Sequence, residues 1–477
     1  MRVRKIAVLV LMFATFMELV DTTIINIALP SIDADLDATS TQLEWMVSGY
    51  VLAFAVLVIT GGRLGDIYGR KRLFIIGLTG FTIASAACAY ATSADMLVVS
   101  RLIQGAFGAL LIPQGLSIIQ VLFAPKERAG VFAALGLVSG MAAVTGPLLG
   151  GYLITENAFD LGWRSVFIIN VPVGILLLIA AVIFIPESKS EQKVQLDVLG
   201  VLLISSALFL LIFGLIEGRP LGWPVEILVM IGLSPVLIAI FIWQQKRRAR
   251  LTGSALVPPS LFASRGYSAG VIVQMTFGGA IVTFFLIFII YLQVALAFTP
   301  IQAGIATLPF SVGALIGSGA SVPLVPRLGK YLILAGSITL MSGYFWITRI
   351  VETKGDALTG ADLIAAMAVS GLGLAFVVIP LNDVALAETP ITNAGAASGV
   401  LGTFGQIGAA VGIAVVGVVF FGTIDEVFAP AIVREAFLNG MWIPIGSLVL
   451  AAVASTLLPS VDKVAAQKAA ADLAEVS

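Results

Sequence analysis

Two carboxylic acids three residues apart interrupt the first long apolar segment of the chain. Glu18 and Asp21 fall on one face of a helix, because residues three apart are neighbours on a helical surface. A charged group at the centre of a bilayer costs about 2.5–3.5 kcal/mol, so acids at such positions suggest a function. Two carboxylates this close in a low dielectric do not both ionise easily and should exchange protons as a pair. The pair is therefore a candidate proton-binding site; a buried carboxyl fixed by a hydrogen bond is the structural alternative.

A single arginine in the fourth apolar segment lies at the depth of this acid pair. At about 1.5 Å per helical residue, Glu18 and Asp21 lie roughly 20 and 24 Å above the inner edge of the bilayer. Arg101 lies roughly 21 Å above the same edge of a core about 30 Å thick. We therefore predict that Arg101 pairs with the acids, directly or through water, and tunes their proton affinity. The alternative is that its long side chain reaches the outer membrane surface.

Glycines and charged residues alternate between the second and third apolar segments, over residues 61–72. The glycines permit a tight turn and a close backbone approach. An ion pair between Asp66 and Arg70 can hold one conformation shut. We therefore predict a gating role for Gly62, Asp66, Gly69 and Arg70, with an ordinary positively charged loop as the alternative.

The fifth apolar segment contains glycines at four-residue spacing and a proline. Gly146 and Gly150 let helices pack closely, and Pro147 removes a backbone donor and kinks the helix. Packing accounts for at least part of this pattern.

Aromatic residues recur along one face of the ninth apolar segment, at steps of 3, 7, 4 and 3 residues from Gln274. This face suits flat, lipophilic, cationic ligands, although phenylalanine stripes more often face lipid or core. The candidates for substrate binding are Glu18, Asp21, Gln274, Phe277, Phe284, Phe288, Tyr291, Asn382 and Gln406.

The composition places these residues in a membrane protein. Of the 477 residues, 59% are hydrophobic and 11% are charged, against about 25% charged in soluble proteins. A net charge of −1 gives no indication of a nucleic-acid partner. The absence of His and the single Cys88 exclude imidazole chemistry, an internal disulfide and cysteine-based metal clusters. With no nucleotide-binding glycine loop and no long soluble segment, we expect neither an enzyme nor a cofactor.

Fourteen apolar segments are long enough to cross the bilayer as helices, which is the only open structure that satisfies the backbone there. They lie near residues 6–28, 43–62, 73–92, 96–122, 129–154, 165–185, 198–216, 225–243, 267–293, 301–323, 331–348, 361–381, 395–421 and 438–458. With the N-terminus inside, 20 of the 26 Lys and Arg residues fall on the cytoplasmic side and five on the outer side. This asymmetry predicts cytoplasmic termini and a location in the cell membrane.

The charged connections predict four parts along this all-α polytopic chain. These are an N-terminal six-helix bundle (1–186), two extra helices with charged linkers (187–266), a C-terminal six-helix bundle (267–460) and a cytoplasmic tail (461–477). Residues 66–70 have a weak echo in residues 326–330, which indicates repeated halves, a common transporter plan.

Several of these stretches together resemble the major facilitator superfamily, in particular its branch of 14-span drug:proton antiporters. Leu19–Pro30 is similar to the first-span motif of that branch, and Gly62–Arg72 to the superfamily's gating loop. Arg101–Ala109 resembles the fourth-span motif associated with proton transfer, and Gly146–Gly151 the fifth-span antiporter motif. Trp163–Pro172 also resembles a stretch typical of the branch.

This resemblance implies two six-helix bundles around a central cavity, which alternate between inward-open and outward-open states, with two peripheral helices. It implies proton-coupled export of lipophilic, often cationic drugs or toxic compounds, in a protein that we expect to be a monomer. A gating role for Gly146 and Pro147 follows from the same resemblance. Export of an endogenous lipid, fatty acid or biosynthetic product would use the same fold, and a non-transporting sensor or channel is a third option.

The distribution of acids predicts a preference for the charge of the cargo. The second half has no acid deep inside a predicted span, so dications that need two separated carboxylates should be poorer substrates than monocations or neutral compounds. Efflux measured on matched monocations and dications tests this expectation, and comparable rates would contradict it.

Overall fold

The computed structural model describes residues 2–123, 125–157, 160–189, 197–252, 255–257, 259–387, 394–424 and 429–460. These residues form α-helices, short 3₁₀ and π turns, and connections, and no strand occurs among them. The α-helices are α1 (Arg2–Leu36), α2 (Ser40–Tyr68), α3 (Arg70–Ala89), α4 (Ala94–Leu122), α5 (Pro125–Thr155), α6 (Ser165–Ile168), α7 (Asn170–Phe184), α8 (Val198–Gly218), α9 (Val225–Thr252), α10 (Arg265–Ile290), α11 (Pro300–Leu328), α12 (Lys330–Lys354), α13 (Gly360–Ala385), α14 (Ala394–Ile424), α15 (Pro430–Gly440) and α16 (Trp442–Ser455).

Thirteen helical segments of the described chain are long and apolar enough to cross a membrane. Helices α6 and α7 together form one of these segments, and α15 and α16 form another. The predicted fifth span coincides with α5, a helix of 31 residues whose side chains are only partly described. The all-helical, polytopic architecture is therefore confirmed, while the fourteenth crossing and the cytoplasmic termini stay predictions.

The structure differs from the sequence interpretation at the connection between the second and third spans. Helix α2 continues to Tyr68, and the break falls at Gly69 alone, whose φ of 112° suits glycine. Gly61 and Gly65 of this stretch are packing positions. A Cβ on Gly61 would lie 2.3 Å from the carbonyl oxygen of Ala109, and Gly65 likewise faces a side chain of α4 below contact distance. Gly61 and Gly65 thus provide the close backbone approach of α2 to α4, and Gly69 alone provides the tight turn.

The weak repeat between the two halves has a structural counterpart. Gly69 is the single residue that separates α2 from α3, and Gly329 separates α11 from α12 in the same way, with a φ of 48°. A left-handed backbone at one glycine therefore marks the same junction in each half.

A lysine follows each of these glycines and caps another helix. Lys71 Nζ donates to the Val182 carbonyl in the last turn of α7, at 2.7 Å. Lys330 Nζ donates to the Thr456 carbonyl just after α16, also at 2.7 Å. Cations are favourable at helix C-termini, where the last carbonyls lack backbone partners. Helix α3 is therefore fastened to the end of α7, and α12 is fastened in the same way to the end of α16.

Contacts between residues divide the chain into two compact units. The first consists of residues 1–244, 288–305 and 421–433, and the second of residues 245–287, 306–420 and 434–477, as far as these are described. Helix α8 thus belongs to the same unit as the first seven helices. The four-part division predicted from the sequence stays a prediction, and its tail, 461–477, lies outside the described residues.

Within the first unit, helix ends that the charge pattern predicts on the outer side contact one another. Gln42 Nε2 at the start of α2 donates to Asp95 at the start of α4, at 2.7 Å. Arg164, just before α6, pairs with Asp35 at the end of α1, at 2.6 Å. These contacts are the ones that an alternating up-and-down arrangement of the first helices requires.

Reporter fusions test whether α5 crosses the membrane. A fusion after Phe123 should be active as a cytoplasmic fluorescent protein, a fusion after Glu156 as an exported phosphatase, and a fusion after Ser188 again as a fluorescent protein. A fusion after Tyr90, predicted outside, serves as the control. Cytoplasmic reporter activity after both Phe123 and Glu156 would contradict the fourteen-span topology.

Candidate functional site

The first unit contains a fully buried ion pair. Arg101 Nη1 lies 2.6 Å from Asp21 Oδ2, and the two side chains expose 1% and 0% of their surface. The other carboxylate oxygen, Oδ1, accepts hydrogen bonds from Gln104 Nε2 at 2.8 Å and from Asn170 Nδ2 at 2.7 Å. Donors from α4 and α7 therefore occupy both oxygens of an acid on α1.

Arg101 also connects this acid to α2. Its Nε donates to the Met46 carbonyl at 3.0 Å, and its Nη1 donates to Gln104 Oε1 at 2.6 Å. The guanidinium carbon lies 4.3 Å from the centroid of the Tyr50 ring, within cation–π range. The side chain thus points into the helix bundle and not toward the outer surface, so the structure brings together the pair that depth in the membrane predicts.

A glycine on α4 permits this arrangement. A Cβ on Gly105 would lie 2.3 Å from the Tyr50 carbonyl oxygen, so any other residue would push α4 away from α2. Helix α4 itself begins at an N-cap, Ser93, whose side chain accepts from the Met96 N–H at 3.2 Å. Arg101 lies one turn before Gly105 and thereby reaches both α1 and α2.

Glu18 has a different environment from its neighbour Asp21. Its Oε1 accepts a hydrogen bond from the Tyr50 hydroxyl at 2.9 Å, and the residue is 3% exposed. Within the described chain no other hydrogen bond reaches its carboxyl group, and none joins it to Asp21. The two acids predicted as one site therefore lie side by side but have separate partners.

Amide and hydroxyl side chains complete the site, and spacing did not reveal them. Gln104 Nε2 also contacts Ser85 Oγ on α3 at 2.8 Å, and Asn170 Nδ2 lies 3.4 Å from the same oxygen. Gln104 and Asn170 lie in stretches with family resemblance, but they are 83 and 149 residues from Asp21 in sequence. Polar residues inside apolar spans are the signal that could have drawn attention to them.

The predicted gating residues form an ion pair at the junction of α2 and α3. Arg70 Nη2 lies 2.8 Å from Asp66 Oδ1, with 16% and 24% of the side chains exposed. Gly69 provides the break between the helices, whereas a Cβ on Gly62 would only reach ordinary contact with Pro113, at 3.6 Å. The structure therefore places three of the four residues at the junction and leaves Gly62 on the helix surface.

An acid that the sequence pattern did not single out caps α3 at this junction. The Glu187 carboxylate accepts the backbone N–H groups of Lys71 at 3.0 Å and Arg72 at 3.2 Å. The Arg70 N–H donates to the Ser188 carbonyl at 2.8 Å. A carboxylate at a helix N-terminus satisfies free donors and matches the helix dipole. The segment after α7 is thus tied to the predicted gate.

The glycines of the fifth helix face two neighbours within the first unit. A Cβ on Gly146 would lie 1.9 Å from Thr23 Oγ1 on α1, and one on Gly304 would lie 2.7 Å from the Pro147 carbonyl oxygen. Gly151 also faces the backbone of the first turn of α11. The Gly-Pro stretch therefore allows the close approach of α5 to both α1 and the start of α11.

The aromatic face predicted on the ninth span is buried. Phe277 and Phe284 lie in the second unit, and the Phe284 ring stacks on Tyr344 with centroids 4.1 Å apart. Phe288 and Tyr291 are buried in the first unit. These residues therefore do not face lipid, and contact with a ligand stays a proposal.

The structure gives less detail for the three polar substrate candidates, Gln274, Gln406 and Asn382. The Gln274 amide packs against Gly405, where a Cβ would lie 2.6 Å from Nε2. Gln406 is half-buried on α14, and the side chain of Asn382 lies outside the described residues. No group of His, Cys, Asp and Glu side chains in the described chain could hold a metal ion.

Comparison with known proteins adds independent information. A sequence profile of the Major Facilitator Superfamily matches residues 11–413. The probable actinorhodin transporter of Streptomyces coelicolor is 39% identical over 418 residues, which cover 87% of this chain and 72% of that protein. The puromycin resistance protein pur8 of Streptomyces alboniger is 31% identical over 461 residues, which cover 94% of this chain and 90% of that protein.

A solved structure shows the same fold at low sequence identity. It is the crystal structure of a bacterial homolog of the human lysosomal transporter Spinster, with a TM-score of 0.64 at 15% identity. The match covers 95% of this chain and 96% of that one. The family profile and the transporter relatives identify the chain as a multi-pass membrane transporter and not an enzyme. The chain belongs to the Major Facilitator Superfamily.

The contribution of the ion pair can be measured with a double-mutant cycle. Arg101→Met leaves Asp21 buried without its charged partner, and breaking such a pair costs about 3–5 kcal/mol. The double variant Arg101→Met/Asp21→Asn has no lone charge and should recover part of this loss. Melting temperature in detergent is the measurement. Arg70→Met, which breaks the half-exposed pair with Asp66, should cost less than about 1 kcal/mol. A double variant no more stable than Arg101→Met would show that the lone buried charge is not the source of the loss.

Proposed function

We propose that this protein is a proton-coupled antiporter that exports lipophilic, often cationic drugs or toxic compounds by alternating access. The names of its relatives support drug export: a multidrug resistance protein, Stp, of Mycobacterium tuberculosis is 31% identical over 422 residues. The two Streptomyces relatives are named for an actinorhodin transporter and for puromycin resistance. Fourteen spans, cytoplasmic termini and a monomeric state are part of the proposal.

The observation that carries proton coupling is the buried centre formed by Asp21 and Arg101, with Glu18 beside it. All three side chains are at most 3% exposed. A charge at such a site is costly, and acids that bind and release protons during transport explain why it is present. If a proton neutralises one of these acids, the ion pair that holds Arg101 is weakened, so proton binding and the contacts of Arg101 are coupled.

The number of hydrogen bonds that each acid accepts suggests different roles for Asp21 and Glu18. Asp21 accepts three N–H donors, and one of them belongs to the Arg101 guanidinium, so a proton on Asp21 competes with a directly bound cation. Glu18 accepts one hydroxyl, from Tyr50, and has an oxygen left for a proton. We assign first proton uptake to Glu18 and the conformational switch to Asp21.

Proton binding at Asp21 would change the packing of four helices. Release of Arg101 from Asp21 frees the guanidinium that also holds the Met46 carbonyl on α2 and Gln104 on α4. A proton can shift the equilibrium between conformations only if it binds one of them more tightly. The different partners of the protonated and ionised centre would supply that difference, and the cargo would bind the ionised form.

Two further groups of residues have proposed roles in the same cycle. The junction residues Gly62, Asp66, Gly69 and Arg70, with Gly146 and Pro147 on α5, would act as gates. The buried aromatic face and its polar neighbours would contact the cargo: Gln274, Phe277, Phe284, Phe288, Tyr291, Asn382 and Gln406.

Export of a single biosynthetic product is the second candidate function. The cephamycin export protein CmcT of Amycolatopsis lactamdurans, 35% identical over 410 residues, is named for one compound and not for many. A resistance panel of structurally diverse toxic compounds, run with and without an uncoupler, separates the candidates. Broad, uncoupler-sensitive resistance supports the first function, and protection against one compound class supports the second.

Proton movement in proteoliposomes tests the coupling site. A compound to which the panel shows resistance should drive proton movement in the wild type, and Asp21→Asn should abolish it because an amide cannot bind and release the proton. Glu18→Gln should slow it at least tenfold by removing the first acceptor. Glu352→Gln, an exposed acid paired with Arg349, is the matched control and should behave as wild type. Wild-type coupling in Asp21→Asn would exclude the assignment.

A further inference from the structure

The first of the two extra helices shares a polar contact with α2 at the end predicted to face outside. Trp45 packs against Phe213 of α8 with ring centroids 6.1 Å apart, and its Nε1 donates to Glu217 Oε1 at 2.9 Å. Glu44 and Arg219 lie beside this contact. We call the four residues Glu44, Trp45, Glu217 and Arg219 the α2–α8 cluster.

Arg219 directs its donors to groups other than the two acids. Its Nη2 donates to the hydroxyls of Ser40 at 2.8 Å and Thr41 at 3.1 Å, and its Nη1 donates to the Phe421 carbonyl at 3.4 Å. In the described part of the chain, no ion pair joins Arg219 to Glu44 or Glu217. The arginine thus holds backbone and hydroxyl groups and leaves the carboxylates of the cluster without a direct cation.

Glu44 is buried, and one of its carboxyl oxygens has no hydrogen-bond donor among the described residues. The residue is 1% exposed, and its Oε1 is inaccessible to solvent and has no partner among the described residues. The nearby Ser48 hydroxyl donates to the backbone carbonyl of Glu44 and not to its carboxyl group. The charged groups that act on Glu44 are Arg219 and Glu217, one of each sign. An ionised carboxylate in this position would have one oxygen, Oε1, that lacks both solvent and donors, which is costly.

We propose that Glu44 is a second proton-binding site, formed between α2 and α8 and separate from the centre at Asp21. A proton is the ligand that neutralises a buried carboxylate without needing any further space. On α2, Glu44 precedes Tyr50 by about 9 Å along the axis, and its side chain is rotated from that of Tyr50 by roughly 120°. The site therefore faces the extra helix and not the buried centre.

The bound proton has a consequence for the docking of α8. With Glu44 neutral, Arg219 and Glu217 balance each other, and the aromatic contact between Trp45 and Phe213 is retained. Loss of the proton places a second negative charge near Glu217 in a region of low dielectric, where like charges repel strongly. Alkaline conditions on the predicted outer side would therefore loosen α8 from α2.

Trp45 provides a reporter for this site that needs no substrate. The difference between wild type and Trp45→Phe isolates the fluorescence of one of the six tryptophans. In the full-length protein in detergent, this signal should change as the pH is raised, because the charge next to the indole changes. The same difference measured between Glu44→Gln and Glu44→Gln/Trp45→Phe should not change with pH. Glu217→Gln should keep the titration but move its midpoint to lower pH, because a negative neighbour is removed.

Thermal stability gives a second measurement. Glu44→Gln resembles the protonated side chain, so it should match wild type under acidic conditions and melt at a higher temperature than wild type under alkaline conditions. Asp95→Asn is the matched control: it removes an outer acid bound to Gln42 and should change neither readout. A titration that persists in Glu44→Gln, or a wild-type signal that does not titrate, would overturn the proposal. Neither readout involves transport, so the result is independent of the proposed antiport.

Discussion

The burial of one guanidinium group among apolar helices is the constraint on which the first unit depends. The guanidinium of Arg101 is always charged, so its burial in a low dielectric is costly unless an anion and several acceptors lie within hydrogen-bonding distance. Asp21 supplies the anion, and the Met46 carbonyl and the Gln104 amide supply the acceptors. Helices α1, α2 and α4 are therefore fixed relative to one another by the solvation needs of a single side chain.

Close helix packing is the condition that lets this solvation occur. Lipid is as apolar as the helix surfaces, so packing in a membrane relies on van der Waals contact and small residues. Gly105 and Gly61 on opposing helices let α4 and α2 approach backbone to backbone, and Gly146 lets α5 approach Thr23 on α1. A helix held a few ångströms further away would leave Arg101 and Asp21 with fewer partners. The glycines and the ionic centre are thus two parts of one arrangement.

The sequence predicted the helices and the ion pair because both follow from one-dimensional quantities. Span length is set by bilayer thickness, and the depth of Arg101 and Asp21 follows from helical rise. The end of α2 was predicted wrongly, because glycine within a packed helix and glycine in a turn have the same sequence signature. The Asn170 and Glu187 contacts were missed, because a hydrogen bond between distant segments depends on helix rotation, which spacing alone does not determine. Gly69 shows the difference, since its backbone angle identifies it as the break.

The acids of the first unit differ in how many donors surround them, and this difference orders their chemistry. Asp21 accepts three hydrogen bonds, Glu18 accepts one, and the Glu44 oxygen Oε1 accepts none. A carboxylate paired with a buried cation gains a proton at the expense of that ion pair, which links proton binding to conformation. A carboxylate without donors is more stable when protonated, which links the proton to local packing. Burial alone therefore does not define the role of an acid in a membrane protein; the donors that the neighbouring helices provide do.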